Sequence, residues 1–343
     1  MALNAAGQGV LAPPPKSPAG PAPRRLPGSV RRTTSIDVDW PDGRNGAMHV
    51  VGRARDVFTP PGAADTTILA EGAFAATIDA ERHILALSAA PSPDGLQGLV
   101  GERAGGRLRG AIDRVLPGER RDGTPLHLIL DDIAGTSLIA PWAWSRWDPK
   151  WLEELRQRKA DPKYAAAFNR ENICSGLRTG SSGLSMAADG IDAGILRDPA
   201  DPTGWHDFPA AAGPGMRRAR RMDISRDTLI RIDAHFQDSA TMPDGTRAAL
   251  HEYRIRGTAD PVSFVLLSLE AEPRVLPFAE CPAAAANVQR LVGKSLSELR
   301  ETVLNELRGV AGCTHLNDAL RALADVPVLI RNVAPGTRAH AAE

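Results

Sequence analysis

The sequence predicts an α+β protein built from an internally duplicated unit, in which a small antiparallel sheet is followed by packed helices. Three observations predict it. A set of landmarks recurs in one order: Arg31 and Arg32, Asp37, Asp56, Asp79, Pro91 and His127 early on, then Arg217 and Arg218, Asp223, Asp238, Asp260, Pro273 and His315. Each set contains segments that alternate apolar and polar residues, the pattern of a strand with one face buried. Each set closes in a stretch read as helical or irregular, with apolar residues at clear helical spacing in the second. Sheet first and helices after is an α+β order.

The elements follow along the chain. Residues 1–28 include LAPPPKSPAGPAPRRLPG, too proline-rich for a core helix or a signal segment, and are expected to form a disordered lead. The first unit, 29–140, holds SIDVDW, AMHVVGRARDVF, GAFAATIDA and HILALSAA. These read as three or four antiparallel strands joined by turns at Pro41-Asp42-Gly43, Pro60-Pro61-Gly62 and Asp79-Ala80-Glu81. Beyond Pro91 the unit is helical or irregular and ends in LHLILDDIAG.

An insertion spans 141–215. It opens with four of the chain's six tryptophans, Trp142, Trp144, Trp147 and Trp151. Such a cluster packs a linker onto a domain, or alternatively forms an aromatic wall for a flat apolar ligand. A short helix is expected over WLEELRQRKA. The stretch GLRTGSSGLS lacks the ending and strand context of a phosphate loop and reads as a flexible loop.

The second unit, 216–330, shows strands at DTLIRIDAHFQD, HEYRIRGTA and SFVLLSLEAEP, with a Pro-Asp-Gly turn between the first two. After Cys281, helical spacing links Val288, Leu291, Val292, Leu296, Leu299, Val303, Leu304 and Leu307, with a break at Gly293. A last helix starts near Thr314, a usable N-cap. Residues 331–343 are expected as a flexible tail.

Composition narrows the function classes. A chain of 343 residues can bury two ordinary cores. With 41 basic and 41 acidic residues, no net field favours nucleic acid or an anionic membrane, and neither is expected as a partner. The basic run Met216–Asp223 reads as a solvated strand edge. Three cysteines make no disulfide framework, so a reducing, cytoplasmic setting is expected. No stretch reaches the roughly 18 apolar residues of a membrane span.

Chemistry is expected where the two units differ. His251, Cys281 and Cys313 have no counterpart of the same type in the first unit. His251 opens a predicted strand, Cys281 ends the sheet, and Cys313 and His315 sit at the start of the last helix. Strand ends and helix starts gather at one edge of a layered unit. Two thiolates and two imidazoles there suit zinc or an iron–sulfur cluster. A helix N-terminus is expected to lower the Cys313 thiol pKa. The plain alternative is buried structural cysteines with His315 capping its helix. A second functional reading is a cofactor-free enzyme on a small aromatic or acyl substrate. Cys313 would be nucleophile or acid, His251 or His315 its base, Arg218 and Arg221 an anion clamp, and Trp142 and Trp144 part of the pocket. A third is a non-catalytic binding or accessory module. Metal and small-molecule substrate are the expected partners; the oligomeric state is left open.

The stretches HEYRIRGTAD, RVLPFAECPAAAANVQRLVGKSLSELR and GCTHLNDALRALADV resemble the uncharacterised bacterial family catalogued as domain of unknown function 2889. Its pattern falls on His251, Cys281 and the run Gly312 to Leu316. The chain also resembles, more remotely, the NifU-type iron–sulfur scaffold fold, through Cys281, the run Gly293 to Leu296, and Cys313 with His315. That likeness implies an antiparallel sheet leading into helices, and iron–sulfur chemistry at those residues. It departs in two places: the scaffold's first cysteine falls near His251, and here the histidine follows the cysteine by two.

Overall fold

In a computed structural model, residues 12–62, 65–162, 169–185, 190–194, 196–197, 200–208, 212–331 and 333 are described. The fold is α+β. Four strands run in sequence in the first half: β1 (Ser29–Asp39), β2 (Met48–Thr59), β3 (Thr67–Ile78) and β4 (Ile84–Ala90). After a two-residue strand β5 (Ile191–Asp192), four more follow: β6 (Gly215–Arg226), β7 (Ile230–Thr241), β8 (Arg247–Ala259) and β9 (Leu266–Val275). They join in one antiparallel sheet ordered β4-β3-β2-β1-β6-β7-β8, with β5 and β9 sharing the outer edge of β8. No helix among the described residues is long and apolar enough to cross a membrane.

The alternating segments form the strands expected of them, because each places its apolar residues on one covered face. Helices cover that face. The Pro125–Ile139 helix, capped by the Thr124 side chain, lies on β1 to β3 and anchors one core with Ile36, Val50, Phe74 and Ile133. The helices Leu299–Glu306, Thr314–Arg321 and Val326–Ile330 close a second core with Ile232, Phe236 and Ile255. Gly293 at φ 84 makes the break expected there.

The two halves meet at β1 and β6, which pair antiparallel over eleven positions, from Ser29 opposite Ser225 to Asp39 opposite Gly215. This seam overturns the reading of Met216–Asp223 as a solvated strand edge. β6 is central, and this run of it is buried, because Arg217, Arg218, Arg220 and Arg221 each meet a carboxylate. Arg31 Nε donates to Asp223 and Arg217 Nε to Asp37, both at 2.6 Å, so the strands exchange matching pairs across the seam. On the helical face, Arg32 binds Asp56 through two bonds (2.6 and 2.7 Å) and Asp325 through a third (2.7 Å). Arg218 does likewise with Asp238 (2.8 and 3.1 Å) and Asp318 (2.9 Å). Forked guanidinium–carboxylate pairs are among the few ways to keep charge dry.

The opposite face is covered by the lead and the insertion. Residues 12–28 differ from the disordered reading. Leu276 N–H donates to the Pro15 carbonyl, Ala22 N–H to Leu196, and the Arg25 guanidinium to Asp201 at 2.7 Å. Extended proline-rich chain suits this role, because it leaves its polar groups free to pair outward. Residues 1–11 and 334–343 lie outside the described residues.

Close helix–sheet contact depends on Gly72 in β3. A Cβ there would stand 2.8–2.9 Å from the Leu126 backbone and Cβ. Gly72→Ala is expected to push the Pro125–Ile139 helix outward and cost about 1–3 kcal/mol, the usual range for overpacking. Gly110→Ala, whose new atom meets only the tip of Arg114 at 3.7 Å, should be neutral or slightly stabilising. Thermal melting of the two variants checks this; equal melting temperatures would refute the contact.

Candidate functional site

One irregularity in β8 sets the geometry. Asp238 of β7 stands opposite His251, and the next β7 residue, Ser239, stands opposite Ala249, so Leu250 bulges from the ladder. A bulge lets consecutive residues point to one side. Leu250 and His251 accordingly both line the same cavity. The Thr314–Arg321 helix supplies the facing group. Its N-cap residue is Cys313, one before the expected Thr314, and its first turn carries His315. Gly312 permits the tight approach, since a Cβ on it would lie 2.2 Å from the Leu307 carbonyl oxygen.

His251 and His315 stack with ring centroids 3.4 Å apart and planes 15° from parallel. Both reach toward one oxygen, Asp238 Oδ2, from His251 Nδ1 at 3.8 Å and His315 Nε2 at 3.7 Å. Asp238 is fully buried and held from behind by the Arg218 fork. Burial drives both imidazole pKa values down, that of His315 to about 3 and that of His251 well below its ordinary value, so both rings are neutral at physiological pH. His251 Nδ1 is buried without a hydrogen-bond partner.

This cluster lies at the floor of a cavity of about 880 Å³. Its walls are largely apolar: Trp142, Trp151, Leu152 and Leu155 from one side of the insertion, Ile173, Leu177 and Leu184 from the other, and Phe278 from the chain after β9. The loop GLRTGSSGLS is tied down. Ser182 donates from its backbone N–H (3.1 Å) and hydroxyl (2.7 Å) to the Glu280 carboxylate, and Ser175 N–H donates to the Gly312 carbonyl (2.8 Å).

The structure brings His251, Cys281, Cys313 and His315 to this one cavity, although β8 begins at Arg247, so that His251 is its fifth residue and does not open it. The ligand atoms do not form one tetrad. Among the described residues, the group whose atoms lie within 4.8 Å of one another is Asp238, His251 and His315. Cys313 Sγ is 4.0 Å from His315 Nδ1, and Cys281 Sγ packs against Gly176. The expected acidic thiol at Cys313 is corrected. Burial raises its pKa and outweighs the N–H groups of His315 and Leu316. The Cys281 thiol is raised for the same reason, and the Cys174 thiol reaches about 11 through burial and the nearby Cys313.

Other candidates lie elsewhere. Arg218 stands behind Asp238, and Arg221 binds Asp223 and Asp233 (2.6 Å to the latter), so neither lines the cavity and neither is a free anion clamp. Trp142 and Trp151 form cavity wall, whereas Trp144 packs edge-on against Trp40 at 5.6 Å and Trp147 Nε1 donates to the Thr241 carbonyl. Sequence reasoning missed two members. Asp238 entered the sequence reading as a recurring landmark and not as a site residue, because nothing local to it shows that β7 places it opposite His251. Cys174 lies in the insertion, with no periodic context to place it.

No curated protein and no solved structure matches the chain. Residues 216–329, which contain Asp238, His251, Cys281, Cys313 and His315, match the model of the family described as Protein of unknown function (DUF2889).

Proposed function

We propose that this chain is a metal-dependent enzyme of small-molecule chemistry, with Asp238, His251 and His315 as the protein ligands. The carrying observation is the convergence of two neutral imidazoles and one carboxylate oxygen, dry on one side and open to a large cavity on the other. The donor set fits. Metal–nitrogen and metal–oxygen bonds of about 2.0–2.2 Å set tetrahedral ligands roughly 3.4 Å apart, near the 3.7 and 3.8 Å found here. Two histidines and a carboxylate suit zinc or a non-haem iron. Arg218 would orient the carboxylate from behind, as groups beyond the ligands do at such centres. A metal held there would act as a Lewis acid on a substrate oxygen or on water. The apolar walls would exclude bulk solvent from the reacting end. Cluster ligation by Cys281 and Cys313 is less favoured, because burial keeps the protons that thiolate ligands must lose.

The near-parallel ring stack favours a second reading, a metal-free pair that moves a proton to or from substrate. Elemental analysis of the full chain, dialysed against zinc and then against buffer, separates the two. About one zinc per chain is expected, with affinity lowered roughly 10–100-fold or more in His251→Ala and His315→Ala and unchanged in Cys281→Ser. Zinc-free wild type, or equal loading in the histidine variants, would overturn the metal reading.

A further inference from the structure

Three arginines, one of them lining the cavity, have no carboxylate in an ion pair with them among the described residues. Arg82 occupies the turn after β3 at φ 72, a backbone conformation that disfavours residues with a side chain. Its Nη2 donates to the Ala104 carbonyl, which also accepts the Ser137 hydroxyl at 3.2 Å, one residue before the cavity wall at Leu138. Its Nε is buried without a partner. Arg103 Nε donates to the Glu81 carbonyl at 2.9 Å. A Cβ on Gly105 would lie 3.4 Å from both Arg82 Nη2 and Arg103 Nη1, so the two guanidinium groups flank one point of backbone. Arg170 lines the cavity itself.

Their surroundings contrast with the seam, where every guanidinium of Arg31, Arg32, Arg217 and Arg218 binds a carboxylate. Among the described residues, Arg82, Arg103 and Arg170 form no ion pair. Burial, reinforced by the charges of Arg103 and Arg170, lowers the Arg82 pKa to about 10. Like charges gathered and left unpaired, beside a carbonyl-held side chain in a strained turn, are an arrangement that an oxyanion would relieve.

We propose that Arg82, Arg103 and Arg170 form an oxyanion-binding site at the cavity mouth. It holds the charged end of an amphipathic small molecule whose apolar body fills the cavity. The substrate class is therefore an organic acid or organic phosphate with a long or aromatic apolar part. Its far end is delivered to Asp238, His251 and His315. The inference rests on reading this cavity as a substrate site, and it stands apart from whether a metal is bound there.

The test uses calorimetric titration of the full chain with decanoate, decyl phosphate and decanol. These share an apolar tail and differ in headgroup. At low salt the anions are expected to bind roughly tenfold or more tighter than the alcohol, because charge-assisted bonds are the strong ones. Whichever anion binds tighter identifies the headgroup. Arg82→Gln and Arg170→Gln should each bring anion affinity down toward that of decanol, while decanol affinity holds. Should either variant unfold, the wild-type preference for the anions must still shrink as salt is raised. Equal binding of alcohol and anions, a preference untouched by salt and by both substitutions, or no binding of any probe would overturn the site. Zinc loading reports on the floor cluster separately, so the two readings fail independently.

Discussion

Arg218→Met is expected to cost about 3–5 kcal/mol of folding stability, the range found when one partner of a buried ion pair is removed. Arg218 is 1% exposed, and Asp238 and Asp318 would lose three bonds between them. Asp318 keeps Arg109, but Asp238 keeps only two neutral imidazoles at 3.7 and 3.8 Å. Arg32→Met is the matched control. It removes the same forked pair to a strand aspartate and the same single bond to a helical one, on the other side of the seam, together with one bond to the Gly123 carbonyl. The two variants should therefore lose similar stability in chemical denaturation. They should differ in zinc binding, because only Arg218 orients a proposed ligand. A loss under about 1 kcal/mol in both would mean that the seam is wet and its pairs worth no more than surface ones. Equal zinc affinity in Arg218→Met and wild type would remove Arg218 from the site.

The seam also explains what could be read in advance. Strands with one apolar face announced themselves: VVGRARDVF and HEYRIRGTA alternate, and both pair as expected. β6 hid, because its arginines mimic a solvated edge. Their burial depends on Asp37, Asp132 and Asp318, which lie far away in sequence. No local pattern reports a partner that distant. The site was legible in the same partial way. A histidine read as opening one strand and a Cys–Thr–His run opening one helix were expected to meet at one edge. The two histidines do meet, although His251 is the fifth residue of β8 and not its first. The exact donor set was not legible. It turns on the Leu250 bulge, which aims His251 at Asp238, and on burial, which reverses the acidity that a helix start alone would give Cys313. The sequence reading joined two thiols to two imidazoles; the site proposed above keeps the imidazoles and replaces the thiols with Asp238.

Acidification should weaken the protein well before its carboxylates protonate, and His206 is the residue that isolates the effect. It sits in the segment covering the sheet face opposite the helices, 5% exposed, with Nδ1 3.2 Å from the Ser35 hydroxyl. Burial, reinforced by the charges of Arg55 and Arg53, lowers its pKa to about 3. The unfolded chain binds that proton near pH 6.5. Between these values the unfolded state holds a proton that the folded state refuses, so stability falls as pH drops below about 6.5, at roughly 1.4 kcal/mol per unit. Buried carboxylates act later. Asp131, held low against its burial by Arg109, Arg321 and Arg300, contributes stability that is complete above about pH 3.9 and is lost as pH falls from there through its depressed folded value. From about pH 6.5 to about 5, wild type should therefore lose roughly 2 kcal/mol more than His206→Asn, which cannot take up the proton. Urea denaturation of both proteins at the two pH values measures the difference. Parallel losses would mean that His206 protonates in the folded state, and hence that the segment around Trp205 lifts off β1 and β6 when acidified. That segment flanks the seam whose Arg218 holds Asp238 in place, so the slope of one histidine reports whether the scaffold behind the site stays closed.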